Sequence, residues 1–108
     1  KLDVKNDKTG CLQDIHWYGG DFGYFPTYSI GAFIAAQLAS KVREEVIDFD
    51  LNLKKGNFKP IIEWLRKNVH SKGNFFKINE LLKESTKENL NLKYFEKHII
   101  DRYVKKKI

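Results

Sequence analysis

The chain has 108 residues, enough for one domain, with 42% hydrophobic and 14% aromatic content, which supplies a core and excludes a disordered chain. Twenty basic against 14 acidic residues leave a formal charge of +6, but the two signs interleave between Lys41 and Arg102 as on solvated helical faces. Only Lys105-Lys106-Lys107 is a pure basic run, and no nucleic-acid-binding motif accompanies it, so the expectation is no nucleic-acid partner.

Cys11 is the sole cysteine, which rules out an internal disulfide and a cysteine-based zinc cluster and fits a reducing, cytoplasmic setting. The sequence opens on Lys1-Leu2-Asp3 with no signal-peptide pattern and contains no methionine, as expected of a piece of a longer gene product.

Residues 1–24 read as an ordered loop: Asn6, Asp7, Thr9, Gly10, Gly19, Gly20 and Gly23 punctuate them and no helical period survives. A helix is predicted over 25–47, with Pro26 in its first turn, where a missing N–H costs nothing. Its first half is apolar almost all round and should be enclosed by protein. Its second half narrows to Leu38, Val42 and Val46, with Lys41, Arg43, Glu44 and Glu45 on a wet side. Phe22 to Ser40 carries no charge, and about 18 such residues can cross a bilayer. Pro26, Thr27, Ser29 and Gln37 argue instead for a buried helix of a larger protein, with no membrane span.

Asp48 to Asn57 reads as a linker around Gly56. A second helix is predicted over 58–70, with Ile61, Ile62, Trp64, Leu65 and Val69 as its stripe and Gly73 as a terminator beyond it. Ile78, Leu81 and Leu82 mark a third over 77–87. Asn91 caps a fourth over 91–105, in which Tyr94, Phe95, His98, Ile99, Arg102 and Tyr103 fall three or four apart. No β-alternation persists. The expected class is all-α, about four helices after a Gly-rich loop.

That loop concentrates polar and aromatic tips: Gln13, Asp14, His16, Trp17, Tyr18, Tyr24 and Tyr28. His16 suits a proton shuttle, a hydrogen-bond donor or a metal ligand, and equally a structural role beside Trp17. Asp14 can orient an imidazole or another cation, or cap a turn. Tyr28, near a helix N-terminus, can donate to a developing oxyanion or be an ordinary buried tyrosine. No Gly-Lys-Ser/Thr follows the glycines, so this is a poor phosphate loop.

Gly10-Cys11-Leu12-Gln13-Asp14-Ile15-His16-Trp17 matches Gly-x-x-Gln-Asp-x-His-Trp. With Phe22-Gly23-Tyr24-Phe25-Pro26-Thr27-Tyr28, Gly56-Asn57-Phe58-x-Pro60-Ile61-x-x-Trp64-Leu65 and Leu90-Asn91-x-x-Tyr94-Phe95 downstream, the chain resembles the carboxypeptidase Taq family of zinc metallocarboxypeptidases along essentially its whole length. The resemblance implies the C-terminal part of a larger, almost wholly helical enzyme that removes C-terminal amino acids from peptides.

The family's His-Glu-x-x-His metal motif has no counterpart here. The three histidines, His16, His70 and His98, lie too far apart, and His70 and His98 read as surface or packing residues. The resemblance therefore implies zinc, or cobalt, held by the missing N-terminal part, while this chain contributes no metal ligand. By looser analogy with angiotensin-converting-enzyme-like peptidases, His16 and Tyr28 are the catalytic candidates, binding the scissile carbonyl oxygen. Gln13, Asp14 and Tyr24 are the substrate-side candidates, and Trp17 and Phe22 the packing that fixes the loop. The implied partners are a peptide substrate, the missing part of the enzyme and, by family habit, a homodimer. The rival expectation is an orphan helical interaction domain from a split gene, without catalysis.

Overall fold

A computed structural model describes residues 3–105, so Lys1, Leu2 and, of the basic run, Lys106 and Lys107 lie outside it. Six α-helices and no strand are formed among the described residues: α1 (Ile15–Tyr18), α2 (Pro26–Glu45), α3 (Phe49–Lys54), α4 (Lys59–Asn68), α5 (Ile78–Thr86) and α6 (Lys93–Ile99). Short 3₁₀ turns precede α1 at Asp7–Thr9 and Cys11–Gln13 and follow α4 at His70–Lys72. The end of α6 widens into a π-helical turn at Ile100–Val104.

The all-α class expected from the sequence is the one observed, with two local differences. The Asp48–Asn57 stretch is not a bare linker. Asp48 adopts a left-handed conformation (φ 55°) that turns the chain out of α2, and α3 starts at once, carrying Phe49 into the core. The Gly-rich opening segment also holds one helical turn, α1, too short to leave a period in the sequence.

The chain packs around α2, which touches α3, α4, α5 and α6. Val42, Phe49 and Trp64 form the buried cluster, with Leu38, Val46, Ile61, Leu65 and Val69 against it. A fully buried apolar side chain contributes about 1.5–3 kcal/mol, and the partly buried ones around the cluster less. The spacing-of-four stripe on α2 thus meets the stripe on α4. Ile62, read as part of that stripe, is instead exposed, because α4 turns Ile61 and Leu65 to α2. At the rim, the Trp64 indole N–H donates to Glu45 Oε2 at 2.7 Å, which is the main cause of that carboxyl's lowered pKa.

A second contact set joins α2 to α5 and α6. Leu82 is 1% exposed, and Phe33 meets Phe95 edge-on at 5.0 Å. Gln37, also 1% exposed, is a buried polar residue of this junction. Its Nε2 donates to Thr86 Oγ1 (3.0 Å) and to the Asn89 carbonyl (3.1 Å), while its Oε1 accepts the Asn91 backbone N–H at 3.0 Å. Both ends of the amide are satisfied inside the protein, so the buried polar group costs nothing unpaired.

The same junction is closed from outside by Glu88, which accepts from Tyr94 Oη (2.6 Å), Asn91 Nδ2 (2.6 Å) and Lys93 Nζ (2.9 Å). The Asn91 side chain in turn accepts the Lys93 backbone N–H at 3.1 Å. Expected as the cap of the last helix, Asn91 stands one residue before Leu92, which occupies the N-cap position of α6.

The assembly is open rather than spherical. Its radius of gyration is 17.9 Å, against about 13 Å for a compact domain of this length. The first half of α2, expected to be enclosed, is exposed here at Tyr28, Ile30, Gly31 and Ala32.

Two measurements test this account. Gln37→Leu keeps the volume but strands the Asn91 N–H and the Asn89 carbonyl. It should lower the unfolding free energy by about 2 kcal/mol in urea titration, and a neutral effect would show that the amide does not hold the junction. The second concerns acid. The Tyr94 hydroxyl first, then Lys93 and Asn91, hold the Glu88 carboxyl at about 2 against an ordinary 4.5. A depressed carboxyl stabilises the fold above its unfolded value, and that contribution is lost as pH falls from 4.5 through about 2. Glu88→Gln should therefore be less stable than the parent at neutral pH and show a shallower acid limb across that window in thermal melts.

Candidate functional site

The opening segment is built by short hydrogen-bonded turns. Asn6 caps the first, its Oδ1 accepting the Thr9 N–H at 3.1 Å, and the Cys11–Gln13 turn then delivers an extended Asp14 (φ −77°, ψ 124°). Asp14 is the N-cap of α1, with Oδ1 accepting the His16 backbone N–H at 2.8 Å. After one turn the chain doubles back through Gly20 and Gly23, both at positive φ (79° and 77°) where other residues are strained. The Asp21 N–H returns to the His16 carbonyl at 2.8 Å, closing the reversal. The Thr27 N–H and hydroxyl then both donate to the Tyr24 carbonyl, and Pro26 opens α2.

This reversal brings together residues twelve positions apart. His16 Nε2 lies 3.1 Å from Tyr28 Oη, and His16 Nδ1 lies 3.3 Å from Asp14 Oδ1. Around the imidazole, Tyr24 stacks at 5.7 Å with an interplanar angle of 20°, and Phe25 meets it edge-on at 5.1 Å. Tyr24 and Tyr28 meet edge-on at 5.3 Å. The result is a line, Asp14 to His16 to Tyr28, walled by two aromatic rings. Its far end, Tyr28, is 57% exposed and stands in the first turn of α2, where the helix field favours negative charge beside the hydroxyl.

Of the residues singled out in the sequence, Asp14, His16, Tyr24 and Tyr28 are brought together. Gln13 is not part of this group, since its amide donates to the Lys8 carbonyl and braces the preceding turn. Trp17 and Phe22, expected to pack the loop, are 53% and 77% exposed in this chain. Sequence reasoning missed Phe25 as a wall of the imidazole. Only the turn geometry, which puts residue 25 opposite residue 16, reveals it.

Among the described residues no group of three or more His, Cys, Asp or Glu side chains could hold a metal ion. The site's polar groups are the Asp14 carboxylate, the His16 imidazole and the Tyr28 hydroxyl, joined by hydrogen-bond contacts. No helix among the described residues is long and apolar enough to cross a membrane.

Comparison with known proteins points one way. Residues 1–103 match the family of carboxypeptidase Taq (M32) metallopeptidases. The chain is 43% identical over 99 residues to carboxypeptidase 1 of Bacillus subtilis (strain 168), covering 92% of this chain and 20% of that protein. Among solved structures, the crystal structure of BsuCP superposes with a TM-score of 0.87 at 41% identity, over 96% of this chain and 21% of the other. The Trypanosoma cruzi metallocarboxypeptidase 1 superposes with a TM-score of 0.84 at 44% identity, over 92% and 21%. The chain thus spans about a fifth of the length of the relatives it matches.

Gly23→Ala tests the reversal that builds the site. Beyond its chain neighbours no atom lies within 4 Å of the added Cβ, so the cost is backbone strain, about 1 kcal/mol. Amide exchange at Tyr24 should accelerate about fivefold, and unchanged exchange would show that the loop does not need this conformation.

Proposed function

We propose, for a chain that belongs to the carboxypeptidase Taq (M32) metallopeptidase family, that it is the C-terminal portion of a metallocarboxypeptidase and supplies the oxyanion side of the cleft. The substrate is a peptide, shortened from its C-terminus. The hydrolytic metal, zinc in this reading, is held by the part of the parent enzyme outside this chain. Exposed Ile15, Trp17, Tyr18 and Phe22 support docking of the loop against that part. A single exposed cysteine suits a reducing, cytoplasmic setting.

The observation that carries the reading is the 3.1 Å approach of His16 Nε2 to Tyr28 Oη, at a helix start and open to the outside. As the scissile carbonyl becomes tetrahedral its oxygen gains charge. A phenolic O–H and an imidazolium Nε2–H side by side can both donate to one such oxygen, and they are in place before the charge develops. Tyr24, stacked on His16, offers a flat wall for the peptide next to those donors. Asp14 and Gln13 lie behind them, on the side of the preceding turns.

One lost oxyanion donor costs about 3 kcal/mol of transition-state stabilisation, or roughly 100-fold in rate. In the complete enzyme carrying this segment, His16→Ala and Tyr28→Phe should each lower kcat by about that factor, with metal content by atomic absorption equal to the parent's. Near-normal turnover in both variants would refute the assignment.

A further inference from the structure

We infer that Asp14 is a positioning residue for His16: its Oδ1 both caps the turn and grips Nδ1, so that Nε2 is the nitrogen presented to Tyr28. The inference rests on the oxyanion reading above and assigns Asp14 a place behind the imidazole rather than against the peptide.

Three observations lead to it. The same carboxylate oxygen accepts the His16 backbone N–H at 2.8 Å and lies 3.3 Å from Nδ1 of the ring, so backbone and side chain of one residue are fixed to one point. The Asp14 and His16 side chains are 32% and 26% exposed, each well shielded for a loop whose neighbours mostly face solvent. The imidazole is also held flat by Tyr24 and edge-on by Phe25, which leaves its rotation about χ2 to be decided by hydrogen bonding.

A carboxylate only accepts, so it selects the ring in which Nδ1 carries a proton. In the neutral ring Nε2 carries no proton and accepts the Tyr28 O–H, which orients the phenol in the free site; donation from the ring to an oxyanion belongs to the doubly protonated form. In the protonated ring Nε2–H points the same way and the carboxylate offsets the added charge. Either way the second nitrogen faces the cleft end of the line. A ring carrying its proton on Nε2 alone, or rotated by half a turn, loses that arrangement.

Asp14→Ser separates the two duties, because a serine hydroxyl still caps a helix but is too short to reach Nδ1. Nitrogen-15 NMR of ring-labelled complete enzyme at alkaline pH should find His16 protonated on Nδ1 in the parent and shifted toward the Nε2–H form in Asp14→Ser. The variant's kcat should fall about tenfold or more, with KM within about twofold and the melting temperature retained. A parent ring already in the Nε2–H form, a tautomer unchanged in the variant, or turnover within twofold of the parent overturns the inference. If His16→Ala turns over normally, the oxyanion reading fails, yet the His16 tautomer still decides whether Asp14 positions the ring.

Discussion

The fold depends on one buried amide. Gln37 lies in the middle of α2 and is held at both ends of its side chain by the segment between α5 and α6: Thr86 and Asn89 at its nitrogen, the Asn91 N–H at its oxygen. An apolar residue there would bury as much area but could not choose a register. The amide can choose, because any slide along α2 leaves a backbone group unpaired in a closed space, and such a group costs about 1–3 kcal/mol. Phe33 against Phe95 and Leu82 beneath supply the area; Gln37 supplies the address.

That address reaches the site through the helix itself. Tyr28 is nine residues before Gln37 on an unbroken α2, and a straight helix transmits position with little loss. One member of the hydrogen-bonded line is therefore anchored to the core, while the other members arrive on a loop. The loop has no core of its own. It is held by its turns, by the Asp21-to-His16 closure and by the rings around His16. Scaffold and loop meet at the 3.1 Å contact, and exposed apolar side chains such as Ile15, Trp17 and Phe22 lie on the loop beside it.

Much of this was legible in the sequence, for reasons that also explain what was not. Spacings of four along Leu38, Val42 and Val46 mark the α2 face because a long helix repeats its pattern often enough to be read. Six residues of α3 and four of α1 do not repeat it once, and α3 follows a left-handed Asp48 that nothing in its type demands. Gln37 reads in sequence as a polar interruption of an apolar run, since burial of an amide depends on partners fifty residues away. Asp14 and His16 share one sequence motif and Tyr24 and Tyr28 the stretch after it, and the chain reversal sets all four side by side. Trp17 and Phe22 find no cover within this chain, because packing is a property of neighbours, and an aromatic residue in a sequence carries no sign of whether its neighbours belong to the same chain. Gln13 shares the motif yet serves the preceding turn, so membership in a motif does not fix a role.

Two carboxylates show how a structural network differs from a chemical one. Glu88 takes hydrogen bonds from Tyr94, Asn91 and Lys93, which saturate it and hold its pKa at about 2. Every donor it engages is spent on joining α5 to α6, and the Tyr94 phenol is drawn inward, its own pKa raised by the same contact. The Asp14 line runs the other way. It starts at a cap, passes through an imidazole that can accept or donate, and ends on a tyrosine more than half exposed. A closed network spends its polarity on stability, whereas a line with an exposed end keeps one polar group available to whatever arrives there. The fold uses the first kind where helices join and the second where the loop meets the start of α2.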